Sequence, residues 1–425
     1  MSGHNESILC IHYYFPPLDS SAVIRNYKFT TEFSSRFDKV YVLTSDNYQR
    51  FPQLKLPLNQ NILVEDITTF DYRSVMSWRK KTDSHIKMEK KQGKFYSILL
   101  KIQKSFPFNL LLAEGNLIYI INAYLKAVKL IKKHNISTIY SSFGPYADHY
   151  VAYLLKKKFP TIRWIADFRD LQIEPIYKNV IWKRLQRNIE KQILAKADVI
   201  STISEGLAKY LESYGNDVRA IPRGVEIRDP KTQFDKFTIA YTGSLYFDYR
   251  DPKPLFQAIR QLIDSNQMDS SQLNLVYAGR DGAQFESWIK SYGLEDSFKN
   301  YGLVSREKAQ EIQDRSQINL LLTSSSNELS GVLTGKFFEY FEALNPILCL
   351  INGPYDPEFE NIFRKLNAGV VTYSSDEENK KMKSFLLEKY EQFIHENIVT
   401  STINQDILTS DYSWEAQTDK LLQII

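Results

Sequence analysis

Residues 7–45 read SILCIHYYFPPLDSSAVIRNYKFTTEFSSRFDKVYVLTS, two short apolar runs with an amphipathic stretch between them. The runs at 7–15 and 39–45 have the length and the β-branched and aromatic content of buried strands. The stretch at 22–37 repeats apolar residues at helical spacing. A strand, a helix and a second strand in this order predict a βαβ unit, the building block of a parallel sheet.

The same alternation continues along the chain. Further strands are predicted at 136–142, 162–168 and 197–204, and again at 237–243, 273–279, 318–324, 346–351 and 368–373. The stretch at 221–236 is rich in Pro, Gly and charge, as linkers are. At 425 residues the chain is too long for one ordinary core. We therefore predict an α/β protein with two Rossmann-like, doubly wound parallel-sheet domains that face a central cleft.

Composition excludes several classes of protein. Hydrophobic residues make up 43% and charged residues 24%, which is normal for a soluble globular chain. Cys10 and Cys349 lie in apolar runs, so neither a disulfide framework nor a zinc site is predicted. The start does not resemble a signal peptide and no run reaches the ~20 apolar residues that span a bilayer, so we expect a cytoplasmic protein.

Basic residues concentrate at 73–104, although the net charge is only +4. Apolar and aromatic side chains are interleaved with them, which favours peripheral contact with an anionic membrane surface on the inner face of the cell membrane. A basic helix solvated on one face explains the pattern equally well. One such segment does not support nucleic-acid binding.

The stretch 335–350, GKFFEYFEALNPILCL, follows a glycine-containing loop. It is not a phosphate loop of the nucleotidase type, because Gly331 and Gly335 are too close and Phe337 stands where a magnesium-binding hydroxyl is needed. It does predict a helix whose N-terminus faces an anion, since Lys336 in the first turn opposes the helix dipole. Glu339, on the same helix face, could accept hydrogen bonds from sugar hydroxyls. A surface pair between Lys336 and Glu339, worth ~0.3 kcal/mol, is the alternative.

Six motifs occur in an order typical of one enzyme family: YYFPPLDSSAVIRNYKF, WIADFRDL, ADVISTISEGLAKYL, IPRGVE, YTGSLYFDYRDPKPLFQAI and GKFFEYFEALNPILCL. The chain resembles GT-B fold glycosyltransferases of the family 4 type over nearly its whole length. It is most similar to the bacterial branch that builds capsule, exopolysaccharide or lipopolysaccharide. The resemblance implies an N-terminal acceptor-side domain at 1–228, a nucleotide-sugar domain at 229–409 and a terminal helix at 410–425 that crosses back.

The resemblance also implies roles for single residues. It assigns Lys336, with Gly335 before it, to the donor diphosphate and Glu339 to the ribose hydroxyls. It implies retaining transfer that needs no metal and no cofactor, with a nucleoside diphosphate sugar as co-substrate. It implies that the loop after Gly243, with Ser244 and Arg250, approaches the phosphates and that Val304 lies beside the base. Arg280 is a further donor-side candidate.

The sequence departs from the family pattern at three places. Gly331 stands where many members have a second glutamate, Arg223 replaces the Asn of the usual IPNG, and Ser20 and Ser21 replace a Gly-Gly pair. The identity of the donor is therefore open.

Four residues of the first half are candidates for the acceptor or phosphate side. Asp167 and Arg169 follow a predicted strand, where cleft residues are placed. Asp167 is either a catalytic base or one half of an ion pair that fixes a loop. Arg25 begins the first helix and is suited to a phosphate, and His149 follows the predicted strand at 136–142.

We predict a glycosyltransferase that moves a sugar onto a glycan or lipid-linked glycan in cell-surface polysaccharide synthesis. Two alternatives remain open: a nucleotide-sugar 2-epimerase of the same fold, and a non-catalytic partner subunit that lost transfer.

Overall fold

The computed structural model describes residues 6–18, 21–46, 54–69, 101–111, 114–173, 180–214, 217–245, 250–326, 330–331 and 333–423. The chain forms two compact units. Unit 1 comprises Met1–Ile221 with Thr418–Ile425, and unit 2 comprises Pro222–Gln417. Each unit is built around one parallel sheet with helices, which confirms the predicted α/β class.

Unit 1 has a sheet of seven strands in the order β3-β2-β1-β4-β5-β6-β7. All its neighbours pair in parallel. The strands are β1 Ser7–Ile11, β2 Lys39–Ser45, β3 Ile62–Ile67, β4 Thr138–Ser142, β5 Arg163–Phe168, β6 Val199–Thr202 and β7 Asp217–Ala220. The helices before the linker are α1 Ser21–Ser34, α2 Phe108–Leu111, α3 Leu117–His134, α4 Ala147–Lys158, α5 Lys183–Leu194 and α6 Glu205–Leu211.

Unit 2 has a six-stranded parallel sheet in the order β10-β9-β8-β11-β12-β13. Its strands are β8 Phe237–Thr242, β9 Leu273–Ala278, β10 Phe298–Asn300, β11 Ile318–Ser324, β12 Ile347–Asn352 and β13 Gly369–Tyr373. Its helices, with the C-terminal ones, are α7 Lys253–Asp264, α8 Gly282–Ser291, α9 Arg306–Arg315, α10 Gly335–Ala343, α11 Pro357–Leu366, α12 Asp376–Glu396, α13 Gln405–Tyr412 and α14 Trp414–Leu422.

Burial explains why the strands read as continuous apolar runs. Every residue of β1 and of β8 is buried, as a parallel sheet covered on both faces requires. In unit 2, alternate residues of one strand enter different clusters: Leu348 and Leu350 pack with α7 and α12, and Ile347, Cys349 and Ile351 pack with α10 and α11. The sheet therefore separates two apolar layers.

Capping residues determine where several helices begin and end. Asn116 accepts from the backbone N–H groups of Ile118 and Tyr119 at the start of α3. The same helix ends at Asn135, whose φ of 49° is left-handed. Asp356 and Asn367 cap the two ends of α11 in the same way.

The strands predicted from apolar runs are all present, with ends shifted by a few residues. Three strands were missed: β3, β7 and β10. Each carries charged or amide side chains, which interrupt the apolar run that predicts a buried strand. Of the basic segment predicted at 73–104, residues 73–100 lie outside the described residues. No helix in the described ranges is both long and apolar enough to cross a bilayer.

Candidate functional site

The N-terminus of α10 is open to a ligand. Thr334, the N-cap residue, has extended backbone and makes no side-chain capping hydrogen bond. Gly335 is exposed, and a Cβ atom built on it would meet nothing within 4 Å. Free N–H groups and the positive end of the helix dipole together favour an anion at this point.

Lys336 and Glu339 form an ion pair on the first turn of α10. Nζ of Lys336 lies 2.6 Å from Oε2 of Glu339, and the side chains are 32% and 14% exposed. Burial alone would raise the pKa of Glu339, but the Lys336 ammonium beside it lowers that pKa below its usual range. The carboxylate therefore stays ionised and acts as a hydrogen-bond acceptor.

Gln313, a buried residue of α9 that the sequence did not single out, holds Glu339 in place. Its Nε2 donates to Oε2 of Glu339 over 3.2 Å and to Oγ1 of Thr242 over 2.8 Å. Its Oε1 accepts from Nη2 of Arg228 over 3.1 Å. Because a guanidinium only donates, this contact fixes the orientation of the amide and directs its NH₂ group to Glu339.

Two glycines, Gly243 and Gly279, follow β8 and β9 at the carboxyl edge of the sheet, next to Lys336. Gly243 directly follows β8 and has a φ of 149°, which L side chains rarely adopt. A Cβ atom on Gly279 would lie 2.1 Å from the carbonyl oxygen of Gly243, so only glycine fits there. Cε of Lys336 lies 3.9 Å from the Cβ position of Gly243, which puts the lysine beside this close-packed edge.

The other donor-side candidates lie around the same strand ends. The carbonyl oxygen of Ser244 accepts from Nη1 of Arg250 over 2.9 Å and from the hydroxyl of Tyr241 over 2.7 Å. Arg280 is exposed directly after Gly279. Val304 is half-buried and packs against a small cluster that includes Ala278.

Arg223, which replaces the family's usual Asn, belongs to a buried charge network. It pairs with Glu342, which also accepts from Nη1 of Arg228 over 3.0 Å. Nε of Arg228 lies 2.7 Å from Oδ1 of Asp314. The charge of Arg223 also lowers the pKa of Glu339, after the larger effect of Lys336. The substitution therefore adds positive charge near the site.

Gly331, at the position of the missing glutamate, contacts a different carboxylate. Its N–H donates to Oδ2 of Asp356 over 2.7 Å. Oδ1 of Asp356 accepts from the N–H groups of Glu358 and Phe359 at the start of α11. Asp356 is 1% exposed, and both of its carboxylate oxygens accept hydrogen bonds from these backbone N–H groups.

In unit 1, Asp167 and Arg25 form a fully buried ion pair. Nη2 and Nε of Arg25 donate to the two carboxylate oxygens over 2.8 and 3.0 Å, and Ser201 donates to Oδ1 over 2.8 Å. Arg25 also donates to the carbonyl of Ile221 over 2.9 Å. Burial would raise the pKa of Asp167, yet Arg25 lowers it. These contacts favour the ion-pair interpretation of Asp167 over that of a base.

His149 and Arg169 lie at the carboxyl end of the same sheet. His149 is fully buried, its Nδ1 lies 2.8 Å from the hydroxyl of Ser141, and burial lowers its pKa to about 3. Nε of Arg169 donates to the carbonyl of Phe143 over 3.1 Å. Asp148, next to His149, accepts from Tyr119 over 2.8 Å, and burial raises its pKa to about 8.

The structure brings Lys336, Glu339 and Gly243 together in unit 2, and Arg25 and Asp167 together in unit 1. It adds Gln313, which no sequence signal could have identified because its role depends on partners from other elements. Within the described ranges, no group of three or more His, Cys, Asp or Glu side chains is placed to hold a metal ion.

Comparison with known proteins finds one family model and several similar solved structures. Residues 91–229 match the family model described as Glycosyltransferase Family 4. No curated protein matches the sequence. Similar solved structures include a sucrose-phosphate synthase from Thermosynechococcus elongatus, with TM-score 0.60, 12% identity and 99% and 98% of the two chains covered.

Two further structures are similar over comparable lengths. One is TarM from S. aureus, solved as a mutant with fondaparinux, alpha-GlcNAc-glycerol and UDP, with TM-score 0.60, 10% identity and 99% of each chain covered. The other is the lipopolysaccharide outer core galactosyltransferase WaaB, with TM-score 0.55, 12% identity and 99% of each chain covered. The family match thus covers residues 91–229, and the similar structures show that the chain as a whole has the GT-B fold.

Proposed function

We propose that the protein is a retaining glycosyltransferase that uses a nucleoside diphosphate sugar as donor and a glycan or lipid-linked glycan as acceptor. The observation that carries the proposal is the first turn of α10. There, an ammonium group, an uncapped helix N-terminus and an ionised carboxylate lie within one turn, beside the glycine edge of the sheet. This arrangement suits a diphosphate at Lys336 and ribose hydroxyls at Glu339.

The main contribution that this reaction requires from the protein is electrostatic stabilisation. The bond between the anomeric carbon and the diphosphate oxygen breaks, and the nucleoside diphosphate leaves with the electron pair. The acceptor oxygen forms the new glycosidic bond on the same face, and its proton passes to an oxygen of the leaving diphosphate. Lys336 and the N–H groups of α10 would stabilise the negative charge that develops on the leaving diphosphate. We propose that no metal is required for this step.

The side chains of unit 1 divide between two roles in this proposal. Arg25 and Asp167 maintain the sheet edge, because they bond to each other and also to Ile221 and Ser201. We assign Arg169 and His149, at the carboxyl end of the same sheet, to the acceptor side. The similarity to WaaB and TarM supports an acceptor in cell-surface glycan synthesis, since the former acts on lipopolysaccharide and the latter was solved with a glycosylated glycerol.

Donor binding is the first test. Isothermal titration calorimetry with UDP-, GDP- and ADP-sugars should find one that binds, and Lys336→Ala should weaken it. NMR of the product then reports the anomeric configuration, and EDTA should leave the rate unchanged. Binding of no nucleotide sugar by the folded protein would refute the proposal.

Two further outcomes separate the alternatives. A donor converted without acceptor into its 2-epimer would identify an epimerase. A donor that binds tightly but is never turned over with cell-derived lipid-linked acceptors would identify a non-catalytic subunit. Inversion of the anomeric configuration would contradict the retaining mechanism alone.

A further inference from the structure

Unit 1 exposes large apolar side chains in one region. In the described part of the chain, fifteen large apolar side chains are markedly exposed, and eight of them fall between residues 111 and 185. Such clustering is unusual, because scattered exposure is the norm in soluble proteins. Four lie on the first turns of α3: Leu117, Ile118, Ile121 and Leu125, the last 53% exposed. The other four are Leu111, Ile181, Trp182 and Leu185.

Topology places these residues on one side of the sheet. α3 follows β3 and α5 follows β5, and both connections run in the same direction across the sheet. Because parallel crossovers are right-handed, both helices lie on the same face, and both begin at its carboxyl edge. α4 contacts α3 on one side and α5 on the other.

The short helix α2 connects to the beginning of α5. The ring of Phe108 stacks on that of Trp182 with centroids 6.4 Å apart. The N–H of Phe106 donates to Oε1 of Gln186 over 2.8 Å. Leu111 therefore ends α2 close to the exposed residues of α5, and the chain continues from there into α3. We call these eight exposed residues and the cations among them, Lys104, Lys183, Arg184 and Arg187, the apolar–basic surface.

The charge on this surface is mainly positive, and Glu65 beside α3 pairs with Lys126 over 2.8 Å. α3 contains no acidic residue, and its outward positions change from apolar to Lys129, Lys132 and Lys133 toward its end. The only carboxylate of α5, Glu190, is buried and accepts from the hydroxyl of Tyr214 over 2.8 Å. Glu114, between α2 and α3, is hydrogen-bonded to the hydroxyl of Tyr14.

We propose that the apolar–basic surface docks on an anionic lipid bilayer, with Trp182 at the level of the headgroups. Burial of exposed aliphatic side chains in the lipid is favourable, because it removes apolar surface from water. Each Lys or Arg near an anionic surface strengthens the binding further. Tryptophan is enriched at membrane interfaces, where its ring is half in apolar surroundings.

Other partners fit the surface less well. A second copy of the chain would bring Arg184 and Arg187 against the same cations across a two-fold axis, and like charges repel. Nucleic acid would use the cations but leave the aliphatic side chains of α3 without a partner. The docking does not depend on the proposed transferase activity, although it would bring the carboxyl edge of the sheet to a lipid-linked acceptor.

Vesicle sedimentation of the full chain without nucleotide tests the proposal. The protein should sediment with phosphatidylcholine vesicles that contain 30% phosphatidylglycerol, and much less with pure phosphatidylcholine. The double variant Ile118→Asp/Leu125→Asp should bind at least tenfold more weakly. Leu303→Asp is the matched control. Leu303 is 76% exposed in unit 2, so its substitution should leave vesicle binding unchanged. Circular dichroism melting checks that each variant is folded.

A second measurement locates the contact. Brominated lipids should quench part of the tryptophan fluorescence, and Trp182→Phe should remove most of that quenching. The proposal would be overturned if the wild type did not bind anionic vesicles or if the double variant bound them as well as the wild type. It would also be overturned if vesicle binding were lost only when charges within 73–100 are reversed. A double variant that loses self-association, measured by light scattering, would instead assign the surface to a protein interface.

Discussion

Nζ of Lys336 lies 2.6 Å from Oε2 of Glu339, so the cation assigned to the diphosphate and the carboxylate assigned to the ribose neutralise each other. A bound diphosphate would compete with Glu339 for the ammonium group. Gln313 would then remain as a donor to Glu339, which keeps that carboxylate oriented when the lysine turns to the ligand. Donor binding and the ion pair should therefore be coupled.

The first prediction concerns Lys336. Lys336→Ala should weaken binding of the nucleoside diphosphate about 10- to 150-fold, since a hydrogen bond to a charged group contributes about 1.5–3 kcal/mol. Calorimetry measures the change. Lys365→Ala is the control, because that lysine pairs with Asp411 on an exposed surface. Equal affinities for wild type and Lys336→Ala would remove the lysine from the site.

The second prediction tests the ribose contact of Glu339. Glu339→Gln should weaken the ribonucleotide severalfold more than its 2′,3′-dideoxy analogue, because only the former has hydroxyls for the carboxylate to accept from. Titration of both nucleotides against both proteins measures the ratio. A ratio unchanged by the substitution would place the ribose elsewhere.

The third prediction separates positioning from stability at Gln313. Gln313→Leu leaves Arg228, Thr242 and Glu339 each without one partner, so it should cost about 1–3 kcal/mol of stability and also lower the ribose selectivity. Gln317→Leu is the matched control. Gln317 is equally buried, but it bonds to the backbone of Thr238 and Phe234 at the amino end of the sheet. Gln317→Leu should lower the stability by a similar amount but leave the ribose selectivity unchanged.

The fourth prediction concerns the buried pair of Arg25 and Asp167. Arg25→Met leaves an unpaired buried carboxylate and should destabilise unit 1 by about 3–5 kcal/mol. The double variant Arg25→Met/Asp167→Leu should recover much of this loss, as calorimetric melting can show. Arg36→Met breaks an exposed pair with Asp419 and should cost about 0–1 kcal/mol. A stable Asp167→Asn variant that has lost turnover would instead support a catalytic role.

The fifth prediction concerns pH. Burial raises the pKa of Asp148 to about 8, so the folded state binds more protons than the unfolded state from about pH 4 upward. This contribution to stability is complete below the unfolded pKa and is lost as pH rises through 8. His12 and His149, with pKa values lowered to about 3, act oppositely but only below about pH 6.5.

Between pH 6.5 and 8, stability should therefore fall as pH rises. Urea unfolding at several pH values measures the slope. Asp148→Asn should flatten it, because the asparagine side chain does not titrate. A wild-type slope of zero or of the opposite sign would show that the buried carboxylate is ionised at neutral pH.

The candidate site illustrates which parts could be predicted. Lys336 and Glu339 are close in sequence, and helical periodicity puts residues i and i+3 on one face, so their pairing could be expected. Gln313 and Arg228 come from segments far apart in the chain. Only the packing of α9 against α10 gives them their role.

The two parallel sheets could be predicted from the sequence, because strands buried on both faces must be continuous apolar runs and the helices between them must be amphipathic. The turn at Gly243 and the helix that starts at Gly335 could be predicted in the same way. The pairing of the charges, in contrast, depends on the folded chain. Arg25 with Asp167, and Arg223 with Glu342, meet because burial makes an unpaired charge costly, and no local pattern records which partner the fold will supply.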